Sequence, residues 1–301
     1  MFLSTNNNAI FIFGQTASGK SLCALKLARK FNGAIINADS MQVYDTLSIL
    51  TSRPSYQDMQ SVPHYLYGHI PAQESYSVGK WLSSAVKTIT EVRNNRFLPI
   101  IIGGTGLYFR ALMGQISTMP EIPNEVRQNI REKIKKYGSH VIHDELSRVD
   151  HLAAQQIHPS DAQRIARALE IKVFSGRSII EFWKQSSNPV IPLESTCKII
   201  IIPEKDELKN RIYRRFKKML DSGAIDEICS LVKMNLSLDL PIMKAIGVRE
   251  IIALLNGEMN YDQTLNKGVV ATNQYAKRQK TWISHQFKED WIRINSIEDL
   301  L

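Results

Sequence analysis

The sequence predicts an α/β fold: a P-loop parallel sheet flanked by helices, with an all-helical insertion domain. Short, fully apolar runs alternate with segments of helical periodicity, which is typical of parallel strands buried on both faces. The first run leads directly into a G-x-x-x-x-G-K-[ST] motif. Between residues 119 and 188, helical patterns follow one another with no apolar run between them.

Four apolar runs account for the strands of the predicted sheet. They are AIFIF at 9–13, AIINA at 34–38, FLPIIIG at 97–103 and KIIII at 198–202. Helices are predicted at 20–31, at 78–94, in a turn and helix after Gly104, and from Glu204 onward. Because ligands bind at the carboxyl ends of parallel strands, the polar residues that follow these runs are the first candidates for a site.

The chain is predicted to divide into three segments. Residues 1–118 form the first part of the P-loop core, 119–188 the helical insertion, and 189–301 the rest of the core, with the last strand and the C-terminal helices. In the insertion, DAQRIARALEIKVFSG begins at Asp161, a residue type suited to cap a helix. The C-terminal helices are predicted at 226–236, 242–257 and 266–287.

Residues 14–21, GQTASGKS, form what we call the glycine loop. Glycines let successive backbone N–H groups point inward, and the following helix begins with its positive end at the same place. Lys20 adds a cation, and the Ser21 hydroxyl is placed to ligate Mg²⁺. The motif predicts that a polyphosphate binds here. An ordinary glycine turn is the alternative, which the apolar run before the loop and the helical segment after it disfavour.

Charge and composition favour a nucleic-acid partner and the cytoplasm. The net charge is +9, and basic clusters occur at 211–218 and 277–280. Either cluster alone would be read as a solvated helix face; two of them beside a phosphate motif indicate a polyanion. No apolar run approaches the roughly 20 residues that span a bilayer, and the N-terminal segment lacks the basic region of a signal peptide. The three cysteines form no C-x-x-C pair, which disfavours disulfides and structural zinc.

Asp39 and Thr105 follow the second and third predicted strands. In many P-loop enzymes, an Asp at such a position holds Mg²⁺ or acts as a base on the acceptor; capping of the strand end is the alternative. Thr105 lies among glycines, where its hydroxyl faces an anion or takes part in ordinary turn chemistry. The convergence of both residues with the glycine loop predicts one site at the carboxyl edge of the sheet.

Five segments, in this order and spacing, resemble the bacterial tRNA dimethylallyltransferase family. They are GQTASGKS, NADSMQVY, IIIGGTGLYFRAL, IHPSDAQRIARALE and ATNQYAKRQKTW. The resemblance runs from the glycine loop to about residue 285, and the pairing of DSMQVY with GGTGLY is more specific than the loop motif. Gln15 stands where the family usually has proline, at a loop position expected to be unconstrained. Asn273 stands where arginine is common, so one phosphate contact is in question. No zinc-finger extension follows, as in the bacterial form.

The resemblance implies a prenyl transferase. The enzyme would transfer a dimethylallyl group from dimethylallyl diphosphate to N6 of adenosine 37 in tRNA, releasing diphosphate and consuming no ATP. Asp39 would accept the N6 proton, and Thr105 would bond the diphosphate near the breaking C–O bond. Lys20 and Arg211 complete the implied catalytic set, because both would stabilise negative charge on the departing diphosphate. Arg215 is a second choice for the role of Arg211.

The resemblance also assigns binding residues. The diphosphate would contact the whole glycine loop: Gly14, Gln15, Thr16, Ala17, Ser18, Gly19, Lys20 and Ser21. Mg²⁺ is the implied cofactor, and Ser21 is its implied ligand. The tRNA anticodon stem-loop would contact Asp39, Ser40, Met41, Gln42, Thr105, Arg127, Gln163, Arg164, Ile165, Ala166, Arg167, Lys244, Arg249, Lys277, Arg278 and Trp282. We expect a cytoplasmic monomer with no membrane partner.

Other functions compete with prenyl transfer. The glycine loop and the parallel sheet alone also suit a small-molecule phosphoryl transferase of the nucleoside-kinase type, which would turn over ATP. The charge alone suits a non-catalytic RNA-binding NTPase. Prenylation of free adenine nucleotides is a close variant of the first reading, and the helical insertion disfavours it because such an enzyme would not need one.

Overall fold

The computed structural model describes residues 7–185, 187–287 and 290–299. Residues 1–6, which belong to the segment used to argue against a signal peptide, lie outside the described residues. The chain divides into two compact units: Met1–Met113 with Val190–Leu301, and Gly114–Pro189. The insertion predicted at 119–188 falls within the second unit.

The first unit is built on a six-stranded sheet, and every strand pair in it is parallel. The strands are β1 (Ala9–Gly14), β2 (Gly33–Asn37), β3 (His64–Tyr65), β4 (Leu98–Gly103), β5 (Thr196–Ile201) and β6 (Ile292–Ile294). Their spatial order is β3-β2-β4-β1-β5-β6. The sheet therefore puts the carboxyl ends of β2, β4 and β1 side by side.

The helices of the first unit flank this sheet and extend beyond it. They are α1 (Lys20–Phe31), α2 (Tyr56–Ser61), α3 (Val78–Asn94), α4 (Gly106–Leu112), α10 (Lys205–Met219), α11 (Ile225–Lys233), α12 (Val248–Leu255) and α13 (Tyr261–Gln286). Three short turns complete it: a π-type turn at Leu220–Ala224 and 3₁₀ turns at Pro241–Lys244 and Ile297–Asp299. The helices of the second unit are α5 (Asn124–Tyr137), α6 (Ser139–Val149), α7 (His151–Gln156), α8 (Ala162–Ser175) and α9 (Ile179–Trp183).

Side-chain alternation along β1 explains why helices cover both faces of the sheet. Phe11 and Phe13 belong to the core on one face, and Ile10 and Ile12 to the core on the other. Successive strand residues point to opposite faces, so a run that is apolar at every position needs cover on both sides. Leu27 of α1 packs on the second face.

Trp81 fixes the carboxyl end of β2 from below the site. Its side chain is fully buried, and its Nε1 donates a hydrogen bond to the carbonyl of Asn37, at 3.0 Å. The indole stacks on Tyr108 of α4, with ring centroids 4.1 Å apart. Aromatic stacking and a satisfied indole N–H both favour one orientation of the ring. The end of β2, which leads to Asp39, is therefore held in one position.

The second unit has its own apolar core. Ile130 of α5, Leu146 of α6 and Ile165 of α8 are buried together. The Asp161 side chain accepts a hydrogen bond from the backbone N–H of Arg164, so the cap predicted for this helix is confirmed. In the first turns of α8, Ile165 and Ala168 face this core, and Gln163 and Arg164 are exposed.

The predicted fold class is confirmed, with differences at its margins. The four predicted strands and the helices at 20–31 and 78–94 are present. The sheet does not end at β5, however, because β6 pairs with it, and β3 adds a strand at the other edge. Both extra strands are too short for a periodic pattern. The helix predicted at 242–257 begins only at Val248, because Gly247 before it has a φ of +99°.

In the described part of the chain, no helix combines the length and the apolarity that crossing a membrane would take.

Candidate functional site

The glycine loop connects β1 to α1 through a tight path. Gly19 precedes the helix with a φ of +93°, a value that glycine adopts without strain. A Cβ on Gly14 would lie 2.7 Å from the carbonyl oxygen of Ile201, so no side chain fits there. Ala17, between them, also has a positive φ of 60°. The loop therefore turns its backbone toward the space in front of α1, as the motif predicts.

Lys20 lies at the first position of α1 and folds back over the loop. Its Nζ donates a hydrogen bond to the carbonyl of Gln15, at 2.6 Å. The pKa of Lys20 is lowered to about 7, chiefly by burial; the charge of Asp39 opposes this change, and that of Arg215 adds to it. Near neutral pH, the ammonium group therefore exchanges readily between charged and neutral forms. A bound anion would restore the charged form.

A cavity of about 600 Å³, which we call the loop cavity, lies against the glycine loop. Its lining consists of Ala17, Ser18, Gly19, Lys20, Ser21, Glu207, Arg211, Arg214 and Arg215. Four of these side chains are cationic and one is anionic, so the cavity favours an anion. Arg211 forms an ion pair with Glu207, and its Nη1 donates a hydrogen bond to the carbonyl of Ser18, at 3.4 Å.

The residues at the loop fit a magnesium ion that is shared with a substrate. Ser21 is exposed in the first turn of α1 and lines the loop cavity. Nowhere in the described residues do three His, Cys, Asp or Glu side chains form a group able to hold a metal. Mg²⁺ commonly takes few protein ligands and completes its shell with waters and phosphate oxygens. The Ser21 hydroxyl beside the loop cavity is compatible with this mode of coordination.

Asp39 follows β2 and is oriented by its neighbours. Its backbone N–H donates to Oδ1 of Asn37 at 2.9 Å, and its own Oδ1 accepts from the backbone N–H of Met41 at 2.9 Å. Among the described residues, its Oδ2 has no hydrogen-bond partner. One carboxylate oxygen is thus held in place, and the other is available to accept a proton.

Thr105, which follows β4, is hydrogen-bonded to Ser40, which follows β2. Its Oγ1 accepts a hydrogen bond from the backbone N–H of Ser40 at 3.0 Å and lies 3.3 Å from the Ser40 hydroxyl. A Cβ on Gly103 would lie 2.0 Å from the carbonyl oxygen of Ala38, so the two turns can approach this closely only with glycine there. We call residues 103–106 the Thr105 turn. Its hydroxyl is engaged by Ser40 here; a contact with diphosphate stays a prediction.

A second cavity, the central cavity, has a volume of about 300 Å³ and shares Ala17 and Arg215 with the loop cavity. Its polar lining includes Asp39 and Lys244. The apolar part of its lining is formed by Met41, Leu50, Ile212, Phe216, Met219, Ala245 and Ile246. An anion site, a carboxylate and an apolar pocket are therefore contiguous in the first unit.

The other predicted tRNA contacts of the first unit differ in exposure. Arg278 and Lys244 are exposed at the rim of the central cavity. Lys277 and Arg249 are exposed as well. Trp282 instead packs on the Thr105 turn, because a Cβ on Gly106 would lie 1.9 Å from its Nε1.

Three more residues of this set directly follow Asp39 in the chain. The side chain of Gln42 donates to the carbonyls of Thr51 and Ser52, at 2.9 and 3.1 Å. Met41 lines the central cavity. Ser40 is engaged by Thr105.

In the second unit, the stretch predicted to bind tRNA is only partly at the surface. Gln163 and Arg164 are exposed on α8, and Arg167 is half-buried. Ile165 and Ala166 are buried in the core, at 0% and 7% exposure, so the prediction that they touch RNA needs correction. A helix presents only one face to a partner, and the contiguous stretch ignored this periodicity. Arg127, half-buried on α5, belongs to the same unit.

Some residues of the site were missed or misjudged from sequence. The expectation that Gln15 is unconstrained is wrong, because Gln15 is 3% exposed and its Nε2 donates to the carbonyl of Ala276 at 2.9 Å. Arg215, the second choice, is the cation that lines both cavities. Tyr275 and Gln279 of α13 lie at the site without having been singled out. Both lie in the segment ATNQYAKRQKTW that carries the resemblance, but only the fold brings them to the site.

The fold and this site define a class: parallel α/β proteins with a glycine loop between the first strand and the first helix, and a polar site at the carboxyl edge. Comparison with known proteins narrows the class. The model of the family described as IPP transferase matches residues 42–286, which is most of the chain. The chain belongs to the IPP transferase family, so the resemblance noted in the sequence is confirmed.

Relatives and solved structures agree with this assignment. A tRNA dimethylallyltransferase of Rhizobium etli is 48% identical over 287 residues, which are 95% of this chain and 97% of that protein. One of Agrobacterium fabrum is 48% identical over 292 residues, covering 97% of this chain and 98% of that protein. The structure of a tRNA isopentenylpyrophosphate transferase from Bacillus halodurans has a TM-score of 0.67 and 32% identity, and covers 95% of this chain and 89% of that one. A eukaryotic dimethylallyltransferase acting on tRNA has a TM-score of 0.80 and 26% identity, with coverages of 95% and 73%.

Proposed function

We propose that this protein is a tRNA dimethylallyltransferase, an enzyme that transfers a dimethylallyl group from dimethylallyl diphosphate to N6 of adenosine 37. The relatives described above carry that name or that of a tRNA isopentenylpyrophosphate transferase. The observation that carries the proposal is the contiguity of the two cavities. The loop cavity is cationic, and the central cavity beside it holds Asp39 and an apolar lining.

The arrangement matches a substrate with a charged leaving group and an apolar tail. The loop cavity accepts the diphosphate, and the apolar part of the central cavity accepts the five-carbon group. The nucleophile, the exocyclic amine of adenine, then attacks C1 of the prenyl group while the C1–O bond to the diphosphate breaks. The electron pair of that bond leaves with the diphosphate.

Two sets of residues assist the transfer. Oδ2 of Asp39 accepts the proton that N6 loses, because this amine becomes acidic only as its new bond to carbon forms. Lys20, Arg215 and the backbone N–H groups of the glycine loop stabilise the charge that builds on the departing diphosphate. Ser21 would hold Mg²⁺, which would supply further neutralisation of the diphosphate charge when bound.

The tRNA reaches the protein through basic surfaces on both units. Arg278 and Lys244 present charge at the central cavity, Lys277 is exposed next to Arg278, and Arg164 presents charge on α8. Adenosine 37 lies in a single-stranded loop, where a base is turned out at modest cost. A cytoplasmic location and a monomeric state are part of the same proposal.

Transfer to tRNA in vitro tests the proposal. The purified protein, with Mg²⁺ and dimethylallyl diphosphate, is expected to add one five-carbon unit to A37 of a tRNA that has A36-A37-A38, as read by nucleoside mass spectrometry. Asp39→Asn keeps the shape of the side chain but removes the base. We expect it to bind tRNA with unchanged affinity and to lose product by at least about a hundredfold. Absence of any mass gain with the wild-type protein would refute the assignment.

The same assay separates prenyl transfer from phosphoryl transfer. The glycine loop and parallel sheet alone also suit a kinase of small molecules. A kinase would consume ATP and leave the prenyl donor untouched, whereas the proposed reaction proceeds with no ATP present. Turnover of ATP without prenylated product would favour the kinase.

A further inference from the structure

Helix α13 contacts both loops of the site from behind, through one buried amide. Gln279 is 5% exposed. Its Oε1 accepts a hydrogen bond from the backbone N–H of Thr16, at 2.8 Å, and its Nε2 donates one to the carbonyl of Gly104, at 2.9 Å. Thr16 belongs to the glycine loop and Gly104 to the Thr105 turn. A single side chain therefore bridges the two loops.

The Gln279 amide is closely packed against the Thr105 turn, and a second hydrogen bond joins the same helix to the glycine loop. A Cβ on Gly104 would lie 2.3 Å from Nε2 of Gln279, so the amide can reach this carbonyl only because residue 104 is glycine. One residue before Thr16, the Gln15 side chain donates to the carbonyl of Ala276 on the same helix. The glycine loop is thus bonded to α13 at two consecutive residues.

The bridge requires one donor and one acceptor at fixed positions. Among buried side chains, a primary amide provides both at its tip, whereas a carboxylate offers only acceptors and an alkyl group offers neither. Without the amide, the Thr16 N–H and the Gly104 carbonyl would both be buried without partners, which is costly. The observed pairing also fixes which end of the amide is oxygen.

We propose that Gln279 is a positioning residue that sets the distance between the glycine loop and the Thr105 turn. The proposal rests on the proposed function, in which the loop holds the diphosphate while the Thr105 turn and Asp39 face the reacting carbon and amine. A small displacement of either side misaligns the C1–O bond with the attacking amine, and misplacements of about 1 Å cost about a hundredfold in rate. Most of the groups proposed to bind the diphosphate belong to the glycine loop and to the arginines of the loop cavity, which Gln279 does not contact.

The decisive variant is Gln279→Glu. Its kcat is measured over a range of pH and divided by the wild-type kcat at each pH. When protonated, a carboxylic acid offers one donor and one acceptor, as the amide does; when ionised, it directs a second acceptor at the Gly104 carbonyl. We expect kcat to be reduced about tenfold or more near pH 8 and to approach the wild-type value near pH 5.5. Tyr275 contacts Gln279, and burial raises its pKa above the usual value, so it stays neutral throughout. Lys20 of the glycine loop has a pKa of about 7, and it titrates in the wild-type protein as well, which is why the quantity compared is a ratio to wild type.

The same helix offers a matched control. Gln274 is exposed on α13 and lines neither cavity, and Gln274→Glu makes the identical chemical change. The ratio of its kcat to the wild-type kcat is expected not to change with pH. The affinity for inorganic pyrophosphate, relative to wild type, is expected to change less than about threefold in Gln279→Glu, because the glycine loop remains. A kcat within twofold of wild type near pH 8, or a ratio that does not depend on pH, would overturn the proposal.

Amide hydrogen exchange at Thr16 tests the bridge without relying on activity. Gln279→Leu, or Gln279→Met where the former does not fold, removes the acceptor of the Thr16 N–H. Either variant is expected to exchange the Thr16 amide about tenfold faster than the wild-type protein at the same pH. Unchanged exchange at Thr16 would overturn the positioning role whatever the activity. A wild-type protein that transfers no prenyl group would contradict the proposed function instead, and the exchange result would still decide on the bridge.

Discussion

The ammonium group of Lys20 lies in a place that favours its neutral form. Burial and the charge of Arg215 lower its pKa to about 7, against the opposing effect of Asp39. Diphosphate binding adds negative charge beside Nζ and must raise this pKa again. Above pH 7, therefore, the free protein has lost the proton and has to recover it on binding, whereas well below pH 7 it is already charged.

This linkage predicts proton uptake when inorganic pyrophosphate binds above pH 7. Calorimetry in two buffers of different ionisation enthalpy measures the number of protons taken up, and affinity should fall as pH rises from 7 to 9. The titration of pyrophosphate itself contributes as well, so the control is Lys20→Arg, whose guanidinium stays protonated at these pH values. The excess uptake should disappear in that variant. Equal uptake by both proteins would mean that Lys20 is charged throughout.

At the scale of elements, α11 supports one wall of the central cavity. The carboxylate of Glu227 accepts hydrogen bonds from the backbone N–H groups of Ser48, Ile49 and Leu50 at 2.7–3.0 Å, and from the Ser48 hydroxyl at 2.7 Å. Leu50 and Thr51 line the cavity. Backbone donors bonded to a charged acceptor are held more strongly than those bonded to a neutral one.

Removal of this carboxylate should loosen the segment 48–50. Glu227→Ala is expected to weaken its local stability by about 2 kcal/mol, which corresponds to about thirtyfold faster amide exchange at these three residues. Asp226→Ala is the matched control, since Asp226 is exposed on the same helix and its carboxylate makes no hydrogen bond among the described residues. Exchange that is equally fast in both variants would assign the effect to the helix rather than to the carboxylate.

The positions of the main strands and of part of the site were predictable from the sequence. The strand ends that bring Asp39 and Thr105 to the glycine loop were predictable, because parallel strands place their carboxyl ends at one edge. Local periodicity gave the buried strands and α1. The bridging role of Gln279, although it lies in the segment ATNQYAKRQKTW, and the role of Glu227 were not predictable. These residues act across 263 and about 179 residues of sequence, and contacts of that kind leave no local pattern. The burial of Ile165 and Ala166 was within reach of helical periodicity and was missed.

For the whole molecule, the proposed function divides the chemistry between the two units. The first unit contains the glycine loop and both cavities, and the second presents Arg164 on α8. Arg164 is a cleaner probe of RNA contact than Arg167. The Arg167 Nη1 lies 3.4 Å from the buried carboxylate of Glu170, so its removal would disturb the core as well.

Two substitutions should therefore impair different properties, one prenyl transfer and the other tRNA binding. Lys20→Ala is expected to lose most prenyl transfer while its affinity for tRNA stays within about twofold, because the diphosphate site is impaired and the RNA surfaces are intact. Arg164→Ala is expected to weaken tRNA binding about five- to tenfold, and the slope of log K against log salt concentration should fall by about one, as expected for one lost phosphate contact. At saturating tRNA, its kcat should match the wild-type value.

The control removes the same charge from the same unit at a place without a proposed contact. Arg148 is exposed near the end of α6, and Arg148→Ala should leave both the affinity and the salt slope near wild type. Filter binding across a salt series and single-turnover transfer measure the two quantities separately. If Lys20→Ala and Arg164→Ala each lost affinity and kcat together, binding of RNA and of diphosphate would not be separable in this chain. If Arg148→Ala matched Arg164→Ala, the effect would belong to net charge, because a long-range field acts on tRNA without regard to which residue supplies it.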